Sequence, residues 1–413
     1  MNKKSKSNQP KIEKVISTFQ YRIKDSNKKL VKSLFAQSGA VNFVWNYCND
    51  IQQQAVKRKR KWLSDIDLKN LTSGSSKELG LHSQTVQAVC EEYNLRRIQF
   101  NKPYLKFRTN KQNRSLPWIP FKASAIRVDD KGTFSFMGLK LKTWYSRKLP
   151  NNAIIQTGSI CCDNTGDWFI NITFKLDLKT QEEVDNYKLS LTSKGQNLTG
   201  IDPGLNPMMT LSIEQPDGTV VYQEIEPQKY YKKSQEKLAK AQRAKKKKQI
   251  KKIHKKIKNQ RKDFSNKLVW NLVKDNHTIV NTDITIKNLI QSKLNGHARA
   301  WTDCGLGYIR VALKSKAKKH NVKYEEVSER MLISTQTCSH CKALTGPRGR
   351  KGLGVSAWTC SKCGGQHKRN ENSADNHRLA YKESLGAYPD ELKNKANLTL
   401  QDVGVSNEES LSL

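Results

Sequence analysis

The chain has 413 residues with 75 Lys and Arg against 37 Asp and Glu, so its formal net charge is +38. This length exceeds what one small core needs, which predicts two or three domains, and the excess positive charge predicts a large polyanionic partner. No apolar run reaches the roughly 20 residues of a membrane span, and aromatic residues interleaved with basic ones favour nucleic acid over a membrane as that partner.

The first half of the chain predicts strands that are interrupted by helices. Alternating apolar residues from Val15 to Ile23 predict a strand, and from about residue 28 the apolar spacing becomes that of helices. Residues 84–100 are helical again, and strand-like segments return after Pro117. A strand, a helical insertion and further strands together predict a β-barrel that is interrupted by a helical lobe.

A second domain is predicted after a polar linker at residues 179–197. Its first strand ends at Asp202, and a hairpin, a Lys-rich helical region at residues 230–273 and a short buried strand at residues 278–284 follow. A further helix around residues 301–320 precedes another strand. An Asp at the end of the first strand of such a domain is a metal-ligand position of RNase H-like nucleases, in which carboxylates hold two divalent ions.

The cysteines predict a structural metal site. Cys338-Ser-His-Cys341 and Cys360-Ser-Lys-Cys363 are separated by 18 residues, and two such knuckles are typical of a tetrahedral zinc site that leaves no position for water. The alternative is four unrelated reduced thiols. The remaining cysteines are scattered and odd in number, which favours a reducing cytoplasm over a disulfide framework; they are Cys48, Cys90, Cys161, Cys162 and Cys304.

Two basic segments are candidates for contact with nucleic acid. Like charges three and four residues apart destabilise a helix unless an anion neutralises them, so the Lys-rich helical region favours phosphate binding over a merely solvated face. The candidates there are Lys245, Lys246, Lys247, Lys248, Lys252 and Arg261. Weaker candidates among aromatic residues in the first half are Arg96, Arg97, Lys106 and Arg108.

Four stretches of the sequence resemble the TnpB family, whose members are RNA-guided proteins of insertion sequences related to compact type V CRISPR effectors. These stretches are Gly200-Ile-Asp-Pro-Gly204, Asn259-Gln-Arg-Lys-Asp-Phe264, Ser334-Thr-Gln-Thr-Cys-Ser-His-Cys341 and the second knuckle with His367-x-Arg369-x-x-Asn372. The resemblance covers about residues 15–380. It implies a guide RNA and double-stranded target DNA as partners, with base pairing to the guide reading the sequence.

The resemblance also implies the fold class, an α+β multidomain protein located in a prokaryotic cytoplasm in association with the nucleoid. A wedge-type β-barrel with an inserted helical lobe precedes a RuvC-like, that is RNase H-like, α/β domain with an inserted zinc ribbon. The implied cofactors are structural Zn²⁺ and, if the nuclease site is active, Mg²⁺. The predicted boundaries are residues 1–30 and 113–180 for the barrel, 31–112 for the lobe, 196–337 and 364–385 for the RuvC-like domain, 338–363 for the ribbon and 386–413 for a disordered tail.

The sequence departs from the family pattern at the catalytic carboxylates. Asp202 matches the first of them, but Thr282 stands where many members have a Glu. In some branches of the family the second carboxylate is instead a Glu shortly before the first knuckle, and Glu329 lies near that position. The alternative interpretation of Glu329 is a surface loop residue. Asn370 replaces the third carboxylate, an Asp, and Lys368 replaces another Asp of the same motif.

Two nearby carboxylates receive weaker predictions. Asp283 is the strand neighbour of Thr282 and is expected on the opposite face. Asp375 is able to complete the site if it lies one helical turn inward, but an exposed helix position is the favoured expectation.

Because Asn is a neutral and weaker ligand for a hard cation than a carboxylate, the sequence predicts an RNA-guided DNA-binding protein with a degenerate nuclease site, acting by target occupancy as a repressor. Two rivals remain open. One is an active DNA endonuclease that uses Asp202, Glu329 and a non-standard third ligand, and the other is a decayed transposon remnant.

Overall fold

A computed structural model describes residues 12–24, 27–109, 115–284, 297–352 and 354–384. The chain divides into two compact units, Met1–Asp185 and Asn186–Leu413. The predicted disordered tail at residues 386–413 lies outside the described residues. Within them, no helix is long and apolar enough to cross a membrane.

The first unit is built from two antiparallel sheets. Its strands are β1 (Ile16–Arg22), β2 (Trp118–Lys122), β3 (Ile126–Val128), β4 (Thr133–Phe136), β5 (Leu139–Lys142), β6 (Ala153–Cys162) and β7 (Trp168–Leu176). The sheets have the orders β1-β7-β6-β2 and β3-β4-β5, and a bridge between Ile23 and Thr143 joins them. Every second residue of β7 is buried, as expected when one face of each strand lines the interior. The result is a nearly closed β-barrel, as the sequence predicts.

The helices inserted between β1 and β2 are α1 (Lys28–Lys57), α2 (Asp65–Leu71), α3 (Ser75–Glu78) and α4 (Ser83–Gln99). The side chain of Asn27 accepts the N–H of Leu30 at 2.8 Å and so caps α1. Trp45 of α1 packs edge-on against Tyr93 of α4, with 5.2 Å between the ring centroids. The segment predicted to be helical from about residue 28 is helical, and its first helix begins at Lys28.

The segment predicted as a polar linker contains a helix that the sequence does not predict, α5 (Gln181–Leu191), and the boundary between the two compact units falls within this helix. Thr180 Oγ1 accepts the N–H of Glu183 at 3.1 Å, which satisfies a free donor of the first turn. Val184 is fully buried. This helix has one side-chain cap and one buried residue. Its mostly polar composition gives no apolar periodicity from which a helix could be predicted.

The second unit contains a five-stranded sheet. Its strands are β8 (Asn197–Pro203), β9 (Met209–Glu214), β10 (Val220–Ile225), β11 (Asn276–Thr282) and β12 (Lys323–Val327), in the order β10-β9-β8-β11-β12. Strands β8, β11 and β12 are parallel, whereas β9 and β10 form an antiparallel hairpin beside β8. The carboxyl ends of the three parallel strands therefore meet at one edge of the sheet.

The helices of the second unit are α6 (Tyr230–Arg243), α7 (Lys247–Asp275), α8 (His297–Cys304), α9 (Leu306–Lys319), α10 (Glu329–Leu332), α11 (Gly349–Gly352) and α12 (Arg369–Ser384); two short strands, β13 (Ala357–Thr359) and β14 (Gln366–Lys368), precede the last of them. The sequence predicts a helical region over residues 230–273 and a helix around residues 301–320. Each contains two helices, separated at Lys245 with φ of 50° and at Gly305 with φ of 69°, because a left-handed residue cannot continue a right-handed helix.

The sheet of the second unit is covered on both faces. Ile201 on β8 and Ile279 on β11 pack with Val269 of α7 and Ile309 of α9 in one core cluster. On the opposite face α12 lies against β8. A Cβ at Gly200 would stand 2.3 Å from the carbonyl oxygen of Ala374 and 2.7 Å from the backbone nitrogen of Arg378. The absence of a side chain at Gly200 thus sets how closely α12 approaches the sheet.

We expect Gly200→Ala to lower the free energy of unfolding of the second unit by about 2 kcal/mol, because the added methyl group meets backbone atoms that cannot move aside. The measurement is the midpoint of urea unfolding. The matched control is Gly307→Ala in α9, where no atom lies within 4 Å of the added Cβ. A Gly200→Ala midpoint equal to that of the control would contradict this account of the packing.

Candidate functional site

The candidate site lies where the parallel strands β8, β11 and β12 end. Gly200 pairs with Val280, and Thr282 pairs with Val327, so Asp202 and Thr282 occupy equivalent positions two residues further along neighbouring strands. Glu329 follows β12 and begins α10. The structure therefore brings Glu329 to the same edge of the sheet as Asp202.

A chain of hydrogen bonds joins the two carboxylates. Ser373 Oγ on α12 lies 2.9 Å from Asp202 Oδ1 and 2.7 Å from Ser334 Oγ. Ser334 Oγ in turn lies 2.6 Å from Glu329 Oε1, and the Ser334 N–H donates to the same oxygen at 3.0 Å. Ser334 and Ser373 are both fully buried. Sequence reasoning missed both serines, although Ser334 opens one of the stretches that resemble the TnpB family.

His377 binds the second oxygen of Glu329. Its Nε2 lies 3.0 Å from Glu329 Oε2, and its ring is fully buried. Its Nδ1 has no hydrogen-bond partner among the described residues. Positions 370, 373 and 377 are three and four residues apart, which places Asn370, Ser373 and His377 along one face of α12. Asn370 is half-buried in the first turn of this helix.

Asp283 lies beyond the end of a strand, where it contacts Glu329. The sequence predicts a different position for it, on the opposite face of the strand from Thr282. Strand β11 ends at Thr282, and Asp283 beyond it donates its N–H to the Val327 carbonyl at 3.0 Å. Its Oδ1 accepts the N–H of Glu329 at 3.0 Å. Because the strand ends first, the alternation that underlies the prediction does not apply to Asp283.

Asp375 is buried and not exposed, so the favoured prediction for it is wrong. Its carboxylate is 2.5 Å from Ser212 Oγ and 2.6 Å from Tyr222 Oη, and it accepts a hydrogen bond from Arg378 at 3.1 Å. These partners lie on β9, β10 and α12 itself. Asp375 thus fastens the other flank of α12 to the hairpin. Lys368 is exposed and pairs with Glu371 at 2.9 Å.

Removal from water raises the pKa of Asp202 to about 6, and the nearby charge of Glu329 acts in the same direction. The hydrogen bond from Ser373 and the positive charges of His377 and Arg369 oppose this rise without cancelling it. Asp202 therefore holds a proton more readily than an ordinary aspartate.

The four predicted cysteine ligands converge in the ribbon formed by β13, β14 and the loops before them. All four Sγ atoms lie within 4.8 Å of one another, with Cys338–Cys363 and Cys341–Cys360 separations of 3.7 and 3.6 Å. A tetrahedral ion with bonds of about 2.3 Å requires sulfur separations of about 3.8 Å, whereas a disulfide requires about 2.05 Å. The cluster can hold one metal ion.

Two asparagines fasten the cysteine cluster to α12. The Nδ2 groups of Asn372 and Asn376 both donate to the carbonyls of Ser334 and Thr337, at 2.7 to 3.1 Å. Asn372 Oδ1 also accepts the N–H of Ser339 at 2.9 Å. The first knuckle and the Asp202 site are therefore anchored on adjacent faces of one helix.

Three of the arginines predicted to contact nucleic acid bind within the protein. Arg97 is buried and donates to the Leu63 carbonyl at 2.6 Å. Arg108 donates to Asn42 Oδ1 at 2.7 Å, and Arg261 pairs with Asp303 at 2.7 Å. Their guanidinium groups hold neighbouring segments together, and their contact with nucleic acid stays a prediction.

The remaining basic candidates are accessible. Arg96 is exposed and pairs with Glu92, and the lysines are exposed; they are Lys106, Lys245, Lys246, Lys247, Lys248 and Lys252. A cavity of about 460 Å³ between α6 and α7 is lined by four lysines, two on each helix. One of them is the candidate Lys252, and the other three are Lys233, Lys237 and Lys256. This concentration of positive charge suits a polyanion.

Comparisons with known proteins match both halves of the second unit and the fold as a whole. Residues 177–293 match the family OrfB_IS605, described as "Probable transposase", and residues 307–377 match the TNB domain of Cas12f1-like proteins. A protein of Streptomyces pristinaespiralis named "Putative RNA-guided DNA endonuclease" is 26% identical over 387 residues, which cover 88% of this chain and 89% of that protein. The Cas12f1 chain in a cryo-EM structure of a Cas12f1–sgRNA–target DNA complex superposes with a TM-score of 0.53 at 11% identity, covering 88% of this chain and 99% of that chain.

The described residues thus have a Cas12f1-like fold, a mixed α/β architecture with a nearly closed β-barrel. Together with this fold, the two family matches and the relative support a TnpB-family protein. The resemblance that the sequence motifs indicate is confirmed.

We expect Asp202→Asn to raise the melting temperature, and the gain over wild type to grow by about 3 °C between pH 5 and pH 8 in EDTA. The folded-state pKa of about 6 lies above the ordinary value of 3.8. Between these values the folded protein binds more protons than the unfolded chain, so wild-type stability falls as pH rises through this window and stays reduced above it. The variant has no such group.

The control for this measurement is Asp217→Asn on the exposed β9–β10 turn. Backbone hydrogen bonding from Thr219 lowers the pKa of Asp217, so its difference from wild type should stay constant above pH 5. A constant difference for Asp202→Asn as well would contradict the raised pKa of Asp202.

Proposed function

We propose that the protein binds double-stranded target DNA under the direction of a guide RNA and that its nuclease site is degenerate. In this proposal it acts by occupying its target, for example by blocking transcription. The observation that carries the proposal is the Asp202 site, in which Ser373, Ser334 and His377 engage both remaining carboxylates and Asn370 stands at the third carboxylate position.

The RuvC-like assignment of the second unit rests on its topology and its strand ends. A β-hairpin beside β8, followed by β11 and β12 parallel to β8, agrees with the RNase H-like order that the sequence predicts. Asp202 and Glu329 follow the carboxyl ends of β8 and β12. The first unit, a nearly closed barrel with helices inserted after its first strand, takes the wedge and recognition-lobe roles in this proposal.

The residues present do not fit a pair of divalent ions. Such a pair needs two or three ionised carboxylates with free oxygens that bridge the ions. Both oxygens of Glu329 accept hydrogen bonds, from Ser334 and His377. Asp202 binds Ser373 and has a raised pKa. We therefore assign Mg²⁺ no role in wild-type function.

Nucleic acid as the partner is supported by charge and by the relatives. The net charge is +38, and exposed lysines line the groove between α6 and α7. The Streptomyces relative is named for RNA-guided action on DNA, and the Cas12f1 structure contains a guide RNA and target DNA. Phosphate binding does not require the nuclease carboxylates, so targeting survives their loss.

The rival function is an active endonuclease with a rearranged site. It is favoured by one observation, the position of Glu329, whose charge acts on Asp202. The alternative prediction, that Glu329 is a surface loop residue, does not describe its position. Asp202 and Glu329, two of the three expected carboxylates, lie together in the fold.

We expect the purified protein to carry RNA and, with that RNA bound, to bind matching duplex DNA in Mg²⁺ without cutting it. The copurifying RNA is sequenced, a labelled duplex with the matching sequence is prepared, and binding and cleavage are measured on the same samples. Wild type and Asp202→Ala should give the same cleavage background, because the wild-type site does not activate water.

Two outcomes decide between the proposal and its rival. Cutting by the wild type that Asp202→Ala abolishes would establish the endonuclease and end the proposal. A protein that carries no RNA and shows no preference for matched DNA would contradict guided binding altogether. The binding control is a variant with Lys245–Lys248 changed to Gln, which should bind more weakly on every sequence.

We propose zinc as the ion of the cysteine cluster, because four thiolates at tetrahedral spacing form a closed structural site of the kind that zinc occupies. Its role is to hold the two knuckles together and, through Asn372 and Asn376, to fix them on α12. The ion takes no part in chemistry, since the four thiolates leave no position for water or substrate.

We expect metal analysis to find one zinc per chain in the wild type and none in Cys338→Ser/Cys341→Ser. Cooperative unfolding of the C-terminal region should be lost with the metal, because metal binding supplies folding free energy. Cys161→Ser in the β-barrel serves as the control and should keep its zinc. Unchanged zinc in the double variant would show that the knuckles are not the ligands.

A further inference from the structure

One face of α12 carries the side chains that engage the carboxylates of the candidate site. Ser373 and His377 are one helical turn apart, and both are fully buried. Ser373 reaches Asp202, while His377 reaches Glu329. We name the set Asp202, Ser373, Ser334, Glu329 and His377 the carboxylate bracket.

The bracket engages three of the four oxygens of the two carboxyl groups. Glu329 Oε1 accepts two hydrogen bonds from Ser334, at 2.6 and 3.0 Å, and Oε2 lies 3.0 Å from His377 Nε2. Asp202 Oδ1 lies 2.9 Å from Ser373 Oγ. An ion that bound any of these three oxygens would compete with a buried hydrogen bond, and lost hydrogen bonds to charged groups cost most in buried places.

The bracket is also continuous. Three oxygen–oxygen contacts run in series from Asp202 through Ser373 and Ser334 to Glu329, at 2.9, 2.7 and 2.6 Å. The two buried hydroxyls therefore link the two carboxyl groups, in the role that a bridging ion has in a two-metal site.

The charged groups around Asp202 also favour a site without metal. Those that face it are Glu329, His377 and Arg369, and Arg369 additionally donates to the Gly352 carbonyl. His377 sits directly on Glu329, in the position where a positive charge would offset that carboxylate. The guanidinium of Arg369 supplies a positive charge near Asp202, and this charge opposes the approach of a further cation.

We propose that the carboxylate bracket replaces divalent ions as the element that holds the ends of β8 and β12 on α12. This inference rests on the proposed function and extends it. The site is disabled by the two bracket side chains on α12 together with Asn370, so Asn370→Asp alone does not rebuild a metal site. Rebuilding it also requires Ser373→Ala and His377→Leu.

The test is hydrogen–deuterium exchange of the guide-bound protein, read at residues 200–203, 329–336 and 370–378, in EDTA and in millimolar Mn²⁺. Wild type and Asn370→Asp should show the same protection in both conditions. Ser373→Ala and His377→Leu should each lose about tenfold protection in EDTA, the loss of one hydrogen bond to a charged group. His377→Gln, which keeps a donor, should retain most of it.

The triple variant with Asn370→Asp, Ser373→Ala and His377→Leu should be poorly protected in EDTA and gain about tenfold in Mn²⁺. Its matched control combines Asn370→Asp with Ser212→Ala. That change removes a buried hydroxyl on the other side of α12 that bonds Asp375. The control should gain nothing from Mn²⁺, because it leaves the bracket intact.

Mn²⁺-dependent protection in the wild type or in Asn370→Asp would overturn the bracket, and so would full protection of Ser373→Ala in EDTA. If His377→Leu does not fold, the wild-type and Asn370→Asp measurements still decide. DNA cleavage is scored separately. Cutting by the wild type refutes the degenerate site itself, whereas cutting by Asn370→Asp alone refutes only the bracket.

Discussion

The contact between α12 and β8 is the constraint on which the second unit depends. Because Gly200 has no side chain, the backbone of α12 comes so close to β8 that a Cβ at Gly200 would lie 2.3 Å from the Ala374 carbonyl oxygen. Three sides of α12 then contact different parts of the second unit. Ser373 and His377 engage the carboxylates, Asn372 and Asn376 hold the first knuckle, and Asp375 with Arg378 binds the β9–β10 hairpin.

Ser334 couples the cysteine cluster to the carboxylates. Its carbonyl accepts hydrogen bonds from Asn372 and Asn376, whereas its hydroxyl joins Glu329 to Ser373. It lies four residues before Cys338, so a metal ion that fixes the knuckle also fixes the serine. The two sites are chemically unrelated, yet one segment of backbone sets the geometry of both. In the proposed function, the structural metal is therefore retained because the fold depends on it, although the carboxylates bind no ion.

The parts of the fold that local patterns specify were predictable from the sequence. The cysteine spacing, the strand that ends at Asp202 and the helix over residues 84–100 each depend on neighbours in the chain. The helix at residues 181–191 was not predicted, because Val184 is its only buried residue. The contacts of Arg97 and Arg261 within the protein were not predictable. Their partners, the Leu63 carbonyl and the Asp303 carboxylate, are distant in sequence, and composition does not reveal such partners.

The candidate site shows the same limit more sharply. The substitution at Asn370 is visible in a motif, since the expected residue type is known for that position. The roles of Ser373 and His377 are visible only in the fold, because their carboxylate partners are 171 and 48 residues away in sequence. A motif identifies a substituted ligand position, whereas the fold identifies the partners of the carboxylates that remain. Hydroxyls and an imidazole bind the carboxylates of Asp202 and Glu329, and in the proposed function these buried hydrogen bonds take the place of a metal ion.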